Sequence, residues 1–270
     1  MGLPRVQLFE LEDLAWFPVT IRDLATDYLR FIETRFDLHG PIVPLLRRAL
    51  QDSSASQIVD LCSGGGGPVK ALAEALAADG RSVRFTLTDK YPNLPAFRSL
   101  AAEHAGISYI AEPVDATALP AELTGFRTMF NGFHHFDPKA ARAVLQSAVA
   151  ARQPIAVFEI SERTVATIVP LLFTPLFVFL ATPFIRPFLW RRLLWTYVLP
   201  LVPVTCCWDG VVSQLRAYTI PELEALSSGL GGGYVWTAGR VPIGTTPGHL
   251  THLIGIPAAA AAQHASASGV

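Results

Sequence analysis

The period of the apolar positions changes several times along the chain. Between residues 8 and 50 it is helical. Leu24, Tyr28, Phe31, Ile32 and Arg35 fall at helix spacing, Pro41 and Pro44 interrupt, and Leu45 to Leu50 resume the pattern. A polar linker, Gln51 to Gln57, follows. Short apolar runs then alternate with helical stretches. The pattern predicts strands at Gln57–Leu61, Val83–Thr88, Ile107–Pro113, Arg127–Phe133 and Ile155–Ile160, and helices at Pro68–Ala78, Leu94–His104 and Pro138–Ala150. Such alternation implies a parallel sheet covered by helices on both faces. Right-handed crossovers place the carboxyl ends of the strands along one rim, where ligands bind in sheets of this kind.

After Ile160 the alternation stops. Thr164 to Ile185 contains no charged residue and lies between Arg163 and Arg186; Leu193 to Trp208 is a second uncharged run. The first run is long enough to cross a bilayer, for which about 20 apolar residues suffice. Pro170, Pro175 and Pro183 interrupt it, and each proline inside a helix costs about 3 kcal/mol. A true span is therefore the least favoured reading. An apolar insertion over about 162–210 is expected instead, serving as a buried cap, a homodimer face or a peripheral membrane contact. Val211 to Tyr218 reads as a strand or the exit from the insertion, and Ile220 to Leu226 as a short helix. Tyr234–Ala238 and Leu250–Ile256 read as a closing antiparallel pair, and the Ala/Ser-rich tail, 258–270, as disordered. The division is an N-terminal helical region (1–52), a ligand-binding α/β domain (53–257) carrying the insertion, and the tail.

Composition narrows the function classes. The 270 residues suit one large α/β domain with a cap, and an apolar fraction of 51% supplies its core. A net charge of −1 gives no basis for binding nucleic acid, which needs a basic face. Cys62, Cys206 and Cys207 are too few and too badly spaced for a disulfide framework, which points to a reduced, cytoplasmic setting. No CxxC pair and no HExxH occurs, so no metal site is expected. Met1 to Glu10 lack a basic-then-apolar signal pattern, so secretion is not expected.

The most informative segment is Ile58-Val59-Asp60-Leu61-Cys62-Ser63-Gly64-Gly65-Gly66-Gly67-Pro68. A short apolar strand carries one acid, and four glycines then let the backbone turn tightly and approach a ligand. A helix follows, with Pro68 tolerated in its first turn. Strand, glycine turn and helix start together make a nucleotide-type site. The G-x-G-x-x-G spacing of a dinucleotide site is poorly met, and Lys70 lacks the Ser/Thr that a P-loop requires. The segment instead resembles the first motif of class I S-adenosylmethionine-dependent methyltransferases, with Cys62, Gly64 and Gly66 at the three glycine positions. Three later landmarks extend the resemblance: Leu87-Thr88-Asp89-Lys90, Val114-Asp115-Ala116 and Phe130-Asn131-Gly132-Phe133-His134-His135-Phe136. It covers residues 55–160 and, with the closing strands, most of the fold. Phe9-Glu10-Leu11-Glu12-Asp13, Trp16-Phe17-Pro18, Trp208-Asp209-Gly210 and Val212 to Tyr218 are similar to a largely uncharacterised bacterial branch of this superfamily.

The resemblance implies a Rossmann-like α/β fold with seven mostly parallel strands, helices on both faces, an N-terminal helical lid and the apolar insertion after the fifth strand. It implies S-adenosylmethionine as cofactor, held by Asp60, Cys62, Ser63, Gly64, Gly65, Gly66, Asp89, Lys90, Asp115, Ala116 and Asn131. In the family the acid at the Asp89 position accepts from both ribose hydroxyls, as a carboxylate with two acceptor oxygens can. The acid at the Asp115 position meets the adenine amino group. Asp60 either positions the methionine amino group or caps the turn. His134 and His135 are candidate general bases, as histidine titrates near neutrality, or else one stacks on the cofactor and the other hydrogen-bonds a backbone carbonyl. Tyr28 is a candidate for holding the sulfonium by cation–π attraction, with a core role as the alternative. Asp209 and Arg216 are expected to pair and hold the insertion on the core, and Glu159 either reaches the pocket or pairs with Arg163. The expected activity is methyl transfer to a small apolar or lipid-like acceptor. The alternatives are non-methyl chemistry on the cofactor that releases methylthioadenosine, and a membrane-associated scaffold without activity.

Overall fold

The computed structural model describes residues 3–78, 80, 82–231, 233–244 and 248–260, and in it the alternating apolar runs form one sheet. The strands are β1 (Gln57–Leu61), β2 (Arg84–Leu87), β3 (Ile107–Tyr109), β4 (Phe126–Phe130), β5 (Ile155–Glu159), β6 (Tyr234–Pro242) and β7 (His249–Pro257). Their order is β3-β2-β1-β4-β5-β7-β6. β1 to β5 pair in parallel, while β7 runs antiparallel to both β5 and β6. This is the expected Rossmann-like sheet of seven mostly parallel strands with one reversed.

The described helices are α1 (Val19–Arg35), α2 (Val43–Asp52), α3 (Val69–Ala78), α4 (Leu94–Glu103), α5 (Pro138–Ala150), α6 (Val165–Leu171), α7 (Thr174–Ala181), α8 (Trp190–Leu193), α9 (Leu201–Arg216) and α10 (Ile220–Ser227). Side-chain alternation along the strands divides the core between two faces. Ile58, Phe85, Phe126 and Phe158 pack with α2, α3 and α4 on one face. Val59, Leu61, Met129 and Val157 pack with α5 and α10 on the other. Local signals fix where helices start. Asn93 accepts from the Ala96 N–H and Asp137 from the Ala140 N–H, each with a proline in the first turn.

Of the two readings of 211–218, a strand or the exit from the insertion, the strand is not observed. Residues 211–216 form the last turns of α9, in which Val202, Cys206, Asp209, Val212 and Arg216 recur at helical spacing and all are buried. Of the tail, residues 258–260 are helical and 261–270 lie outside the described residues.

A third apolar cluster joins α1 to the insertion. Phe17, Ile21, Leu24 and Tyr28 pack against Val178, Ile185, Val202 and Cys206. Inside it the buried guanidinium of Arg192 pairs with Asp27 at 2.8 Å and donates to the carbonyls of Ile185 and Pro187. Asp209 and Arg216 do not pair with each other. Asp209 accepts from the backbone N–H of Leu11 and Glu12, and Arg216 binds Glu10 and Asp13, so both hold the N-terminal segment. Arg163 pairs with Glu222 rather than Glu159.

Candidate active site

A cavity of about 560 Å³ opens at the carboxyl rim of the sheet, between the strand ends and α1. β1 enters its wall through Cys62, whose φ of +55° is in the left-handed region that favours glycine. Opposite it, a Cβ on Gly132 would lie 2.9 Å from Cys62 Cβ, so the glycine makes room for the cysteine. Gly65 brings the turn against α1: a Cβ there would lie 2.8 Å from the Thr26 carbonyl oxygen.

Asp60 does not line the cavity. It is buried, and its two carboxylate oxygens accept from Thr128 Oγ1 (2.6 Å) and Ser63 Oγ (2.7 Å). Burial pushes its carboxyl up to about 7. It ties the glycine turn to β4. Gly66 also turns away, and a Cβ on it would meet Leu100 Cδ1 at 2.1 Å. Its place is in the packing of α4.

Asp89, at the end of β2, faces the cavity. Its oxygens accept from the N–H groups of Gly64 (2.8 Å) and Tyr91 (2.7 Å). Each oxygen keeps a second lone pair for a ligand hydroxyl. Asp115 forms a local turn, one oxygen accepting from the Thr117 N–H and hydroxyl, and the hydrogen bonds hold its carboxyl below the usual range. Val114 and Ala116 stand beside it on the cavity wall.

The opposite wall comes from α1, which contributes Arg22, Asp23, Thr26, Arg30 and Glu33. Glu33 accepts a 2.6 Å hydrogen bond from the Asn131 side chain. Burial pushes the Glu33 carboxyl up to about 7, against the pull of that bond. Asn131 is itself left-handed (φ +53°) and accepts from the Ile160 N–H at 2.9 Å. Arg22 donates to the carbonyls of Glu12 and Leu14 and lies over the Tyr91 ring at 4.3 Å. Glu33 is a functional candidate that the sequence motifs do not single out. The signal was its position one turn beyond Leu29 on the face opposite Leu24 and Tyr28, which a helical wheel brings out.

The two histidines separate in role. His134 is buried outside the cavity, its Nδ1 2.6 Å from Glu159 Oε2, while Glu159 also accepts from the Phe133 N–H. The Glu159 carboxyl stays below its usual range despite burial, because His134 and that N–H face it. His135 lines the cavity with Glu12 and Asp13. Its Nδ1 is 2.8 Å from Asp13 Oδ1, and its Nε2 is 3.6 Å from Glu12 Oε1. Burial opposes its charge, but Glu10, Asp13 and Glu12 outweigh burial and hold its pKa well above the ordinary value. Burial raises Glu12 to about 8, with Glu10, Asp209 and Asp13 adding to the effect and His135 offsetting it. Glu10, His134 and His135 bring ligand-type atoms within 4.8 Å of one another, and Arg216, bonded to Glu10 at 3.1 Å, supplies a positive charge there.

The cavity therefore brings together Cys62, Ser63, Gly64, Gly65, Asp89, Lys90, Asp115, Ala116, Asn131 and His135. It does not include Asp60, Gly66, His134 or Tyr28. Tyr28 is 6% exposed and belongs to the cluster between α1 and the insertion, so its ring is spent on packing.

The strand order, the reversed β7 and the glycine turn after β1 form the Rossmann-like α/β arrangement expected from the sequence. No protein-family model and no curated protein matches the chain. Among solved structures it is similar to an O-methyltransferase family protein from Burkholderia thailandensis, at 15% identity and a TM-score of 0.47, over 84% of this chain and 58% of that one. It is similar to human N-acetylserotonin methyltransferase in complex with S-adenosylmethionine, at 14% identity and 0.45, over 85% and 55%. A third is an O-methyltransferase of neocarzinostatin biosynthesis in complex with S-adenosylmethionine and 2-hydroxy-5-methyl naphthoic acid, at 16% and 0.45, over 78% and 52%. The chain thus spans little more than half the length of these three structures.

Proposed function

We propose that the chain binds S-adenosylmethionine in this cavity and transfers its methyl group to a small apolar or lipid-like acceptor. The observation that carries the reading is Asp89. Its carboxylate stands at the end of β2, braced by two backbone N–H groups next to the glycine turn, with acceptor capacity left for a diol. The cavity's size falls within the range of small-ligand sites, roughly 300–1,000 Å³.

In this reading Asp89 accepts from the ribose hydroxyls. The free oxygen of Asp115 meets the adenine amino group, with Val114 and Ala116 against the ring. Glu33 faces the cofactor's ammonium, one of the two roles expected of Asp60. Lys90, Cys62, Ser63, Gly64, Gly65 and Asn131 complete the wall. α1 acts as a lid, and the insertion backs it through the Asp27–Arg192 pair. Together they exclude water and shape the acceptor end.

The bound cofactor supplies a methyl group on a sulfonium, already activated for transfer. What the chain adds is alignment, which supplies much of the rate in such reactions. His135, oriented by Asp13, is the group placed to take the acceptor's proton, and Asp13 steadies the resulting imidazolium. His134 positions the loop through Glu159. Because its neighbours favour the protonated ring, the active base form of His135 grows as the solution becomes more alkaline.

Mass analysis of the products tests the proposal. Incubation with S-adenosylmethionine and a panel of hydroxylated aromatic and lipid acceptors should yield S-adenosylhomocysteine and one acceptor heavier by a methyl group. Release of methylthioadenosine would instead assign the site to chemistry on the cofactor's aminobutyryl chain. Binding without turnover across the panel would favour a scaffold.

A further inference from the structure

The insertion leaves an unusual outer surface. Seventeen of the twenty-five exposed large apolar side chains among the described residues fall between Val165 and Trp208. α7 packs on α9, and α6 and the 194–198 turn pack on α9 as well, so their outward sides adjoin. Phe173, Phe177, Leu180 and Val198 are about half exposed or more, and Trp190 is 78% exposed. Monomeric proteins seldom expose a contiguous apolar patch beyond a few hundred Å².

Charge identifies what the patch faces. From Arg163 to Trp208 the chain has four arginines and no acid. Arg163 and Arg192 are buried in pairs with Glu222 and Asp27. Arg186 and Arg191 are exposed, set among Phe184, Phe188 and Trp190. A second copy on a two-fold axis would bury this patch against the same patch, and the segment offers no carboxylate to pair the exposed arginines there. An anionic bilayer supplies both apolar depth and negative headgroups, and tryptophan beside arginine suits its interface.

The geometry fits shallow docking. No single described helix is long and apolar enough to cross a membrane. The two helix pairs of suitable composition bend by 49° and 74° at short breaks. α9 is also held down by its inner face, where Cys206, Asp209, Val212 and Arg216 are buried.

We infer that the outer face of α6 to α9, with Trp190 and the exposed Arg186 and Arg191 at its tip, docks on an anionic lipid surface. The docked face adjoins the cavity. α1 packs on the insertion with one side and lines the cavity with the other, and Arg30, a cavity residue, donates to the Arg186 carbonyl at 3.5 Å. Leu29 lines the cavity and is 43% exposed, so the cavity has an apolar residue open to the outside. The inference deepens the lipid-like acceptor reading by giving the acceptor's source. It rests on the surface alone, however, and its test needs no cofactor.

Vesicle flotation of the full chain provides that test, with phosphatidylcholine vesicles made with and without phosphatidylglycerol. The chain should float with the anionic vesicles and leave them as salt is raised. The R186E/R191E variant, altered only at exposed side chains, should partition at least about tenfold less, since each basic residue near such a surface contributes measurably. Phe177→Ser with Trp190→Ser should reduce partition as well, while circular dichroism stays unchanged. A chain that ignores both vesicles and sediments as a concentration-dependent dimer overturns the inference in favour of a second copy. Flotation unaltered in R186E/R191E overturns it too. Calorimetry of the same variants with S-adenosylmethionine reports the cofactor reading separately.

Discussion

Glu33 and Asp60 show how far a residue's surroundings decide its use. Both carboxyls are raised to about 7 by burial, yet only Glu33 faces the cavity. A cationic ligand group beside Glu33 requires its ionised form. Below pH 7 that form is depleted, so affinity for S-adenosylmethionine should fall by up to about tenfold per pH unit. Glu33→Gln should bind weakly at every pH and lose this slope, which calorimetry between mildly acidic and mildly basic buffers can read. His135 carries a dependence of the same direction, on turnover rather than on binding. Its base form increases with pH, and because the neighbouring carboxylates favour the protonated ring, turnover should rise on the alkaline side of the ordinary histidine range. Asp13→Asn removes a carboxylate that favours the imidazolium and should move the rising limb toward lower pH. His135→Ala should lower kcat by about 100-fold or more while leaving cofactor affinity nearly unchanged. A pH–rate profile on any acceptor found by the product screen checks both.

At the scale of elements, the contact between the glycine turn and α1 is the tightest part of the site. Gly65→Ala would press a methyl group on the Thr26 carbonyl, which belongs to rigid helix backbone. Overpacking of this kind costs about 1–3 kcal/mol, and it should loosen α1 and weaken cofactor binding together. On the other side of α1, Asp27→Ala would strand the buried Arg192. Breaking one partner of such a pair costs about 3–5 kcal/mol. Thermal unfolding should register that loss, whereas exposed Arg48→Ala, whose partner Asp52 is 3.7 Å away on the helix surface, should register almost none. The sheet elements were legible in the sequence because period and turn residues agree at each of them. The Cys62-to-Gly67 turn, for example, sits between an apolar strand and a helix started by Pro68. The end of α9 was harder to read, because 211–216 taken alone are too short to show a helical period and only the spacing of buried positions from Val202 to Arg216 reveals it.

Across the whole molecule, the N-terminal segment proved to be the least legible part. Glu10, Glu12 and Asp13 are adjacent in sequence to nothing they serve, yet they surround His135 and Arg216 after folding. A single acidic run gives no hint of which distant cations it will meet. The same limit hid the pairing of Asp27 with Arg192, separated by 165 residues. The part of the cavity at the strand ends was readable because the alternation already defines where those ends lie. The part built from α1, the N-terminal segment and the His135 loop was not. The central claim is that this rim holds S-adenosylmethionine through Asp89. Titration calorimetry of the wild-type chain and Asp89→Ala tests it most directly. The account predicts saturable binding by the wild type and a loss of about 30-fold or more in the variant, the scale of one charged hydrogen-bonding partner. No heat of binding from the wild type, or equal affinity in the variant, would contradict it.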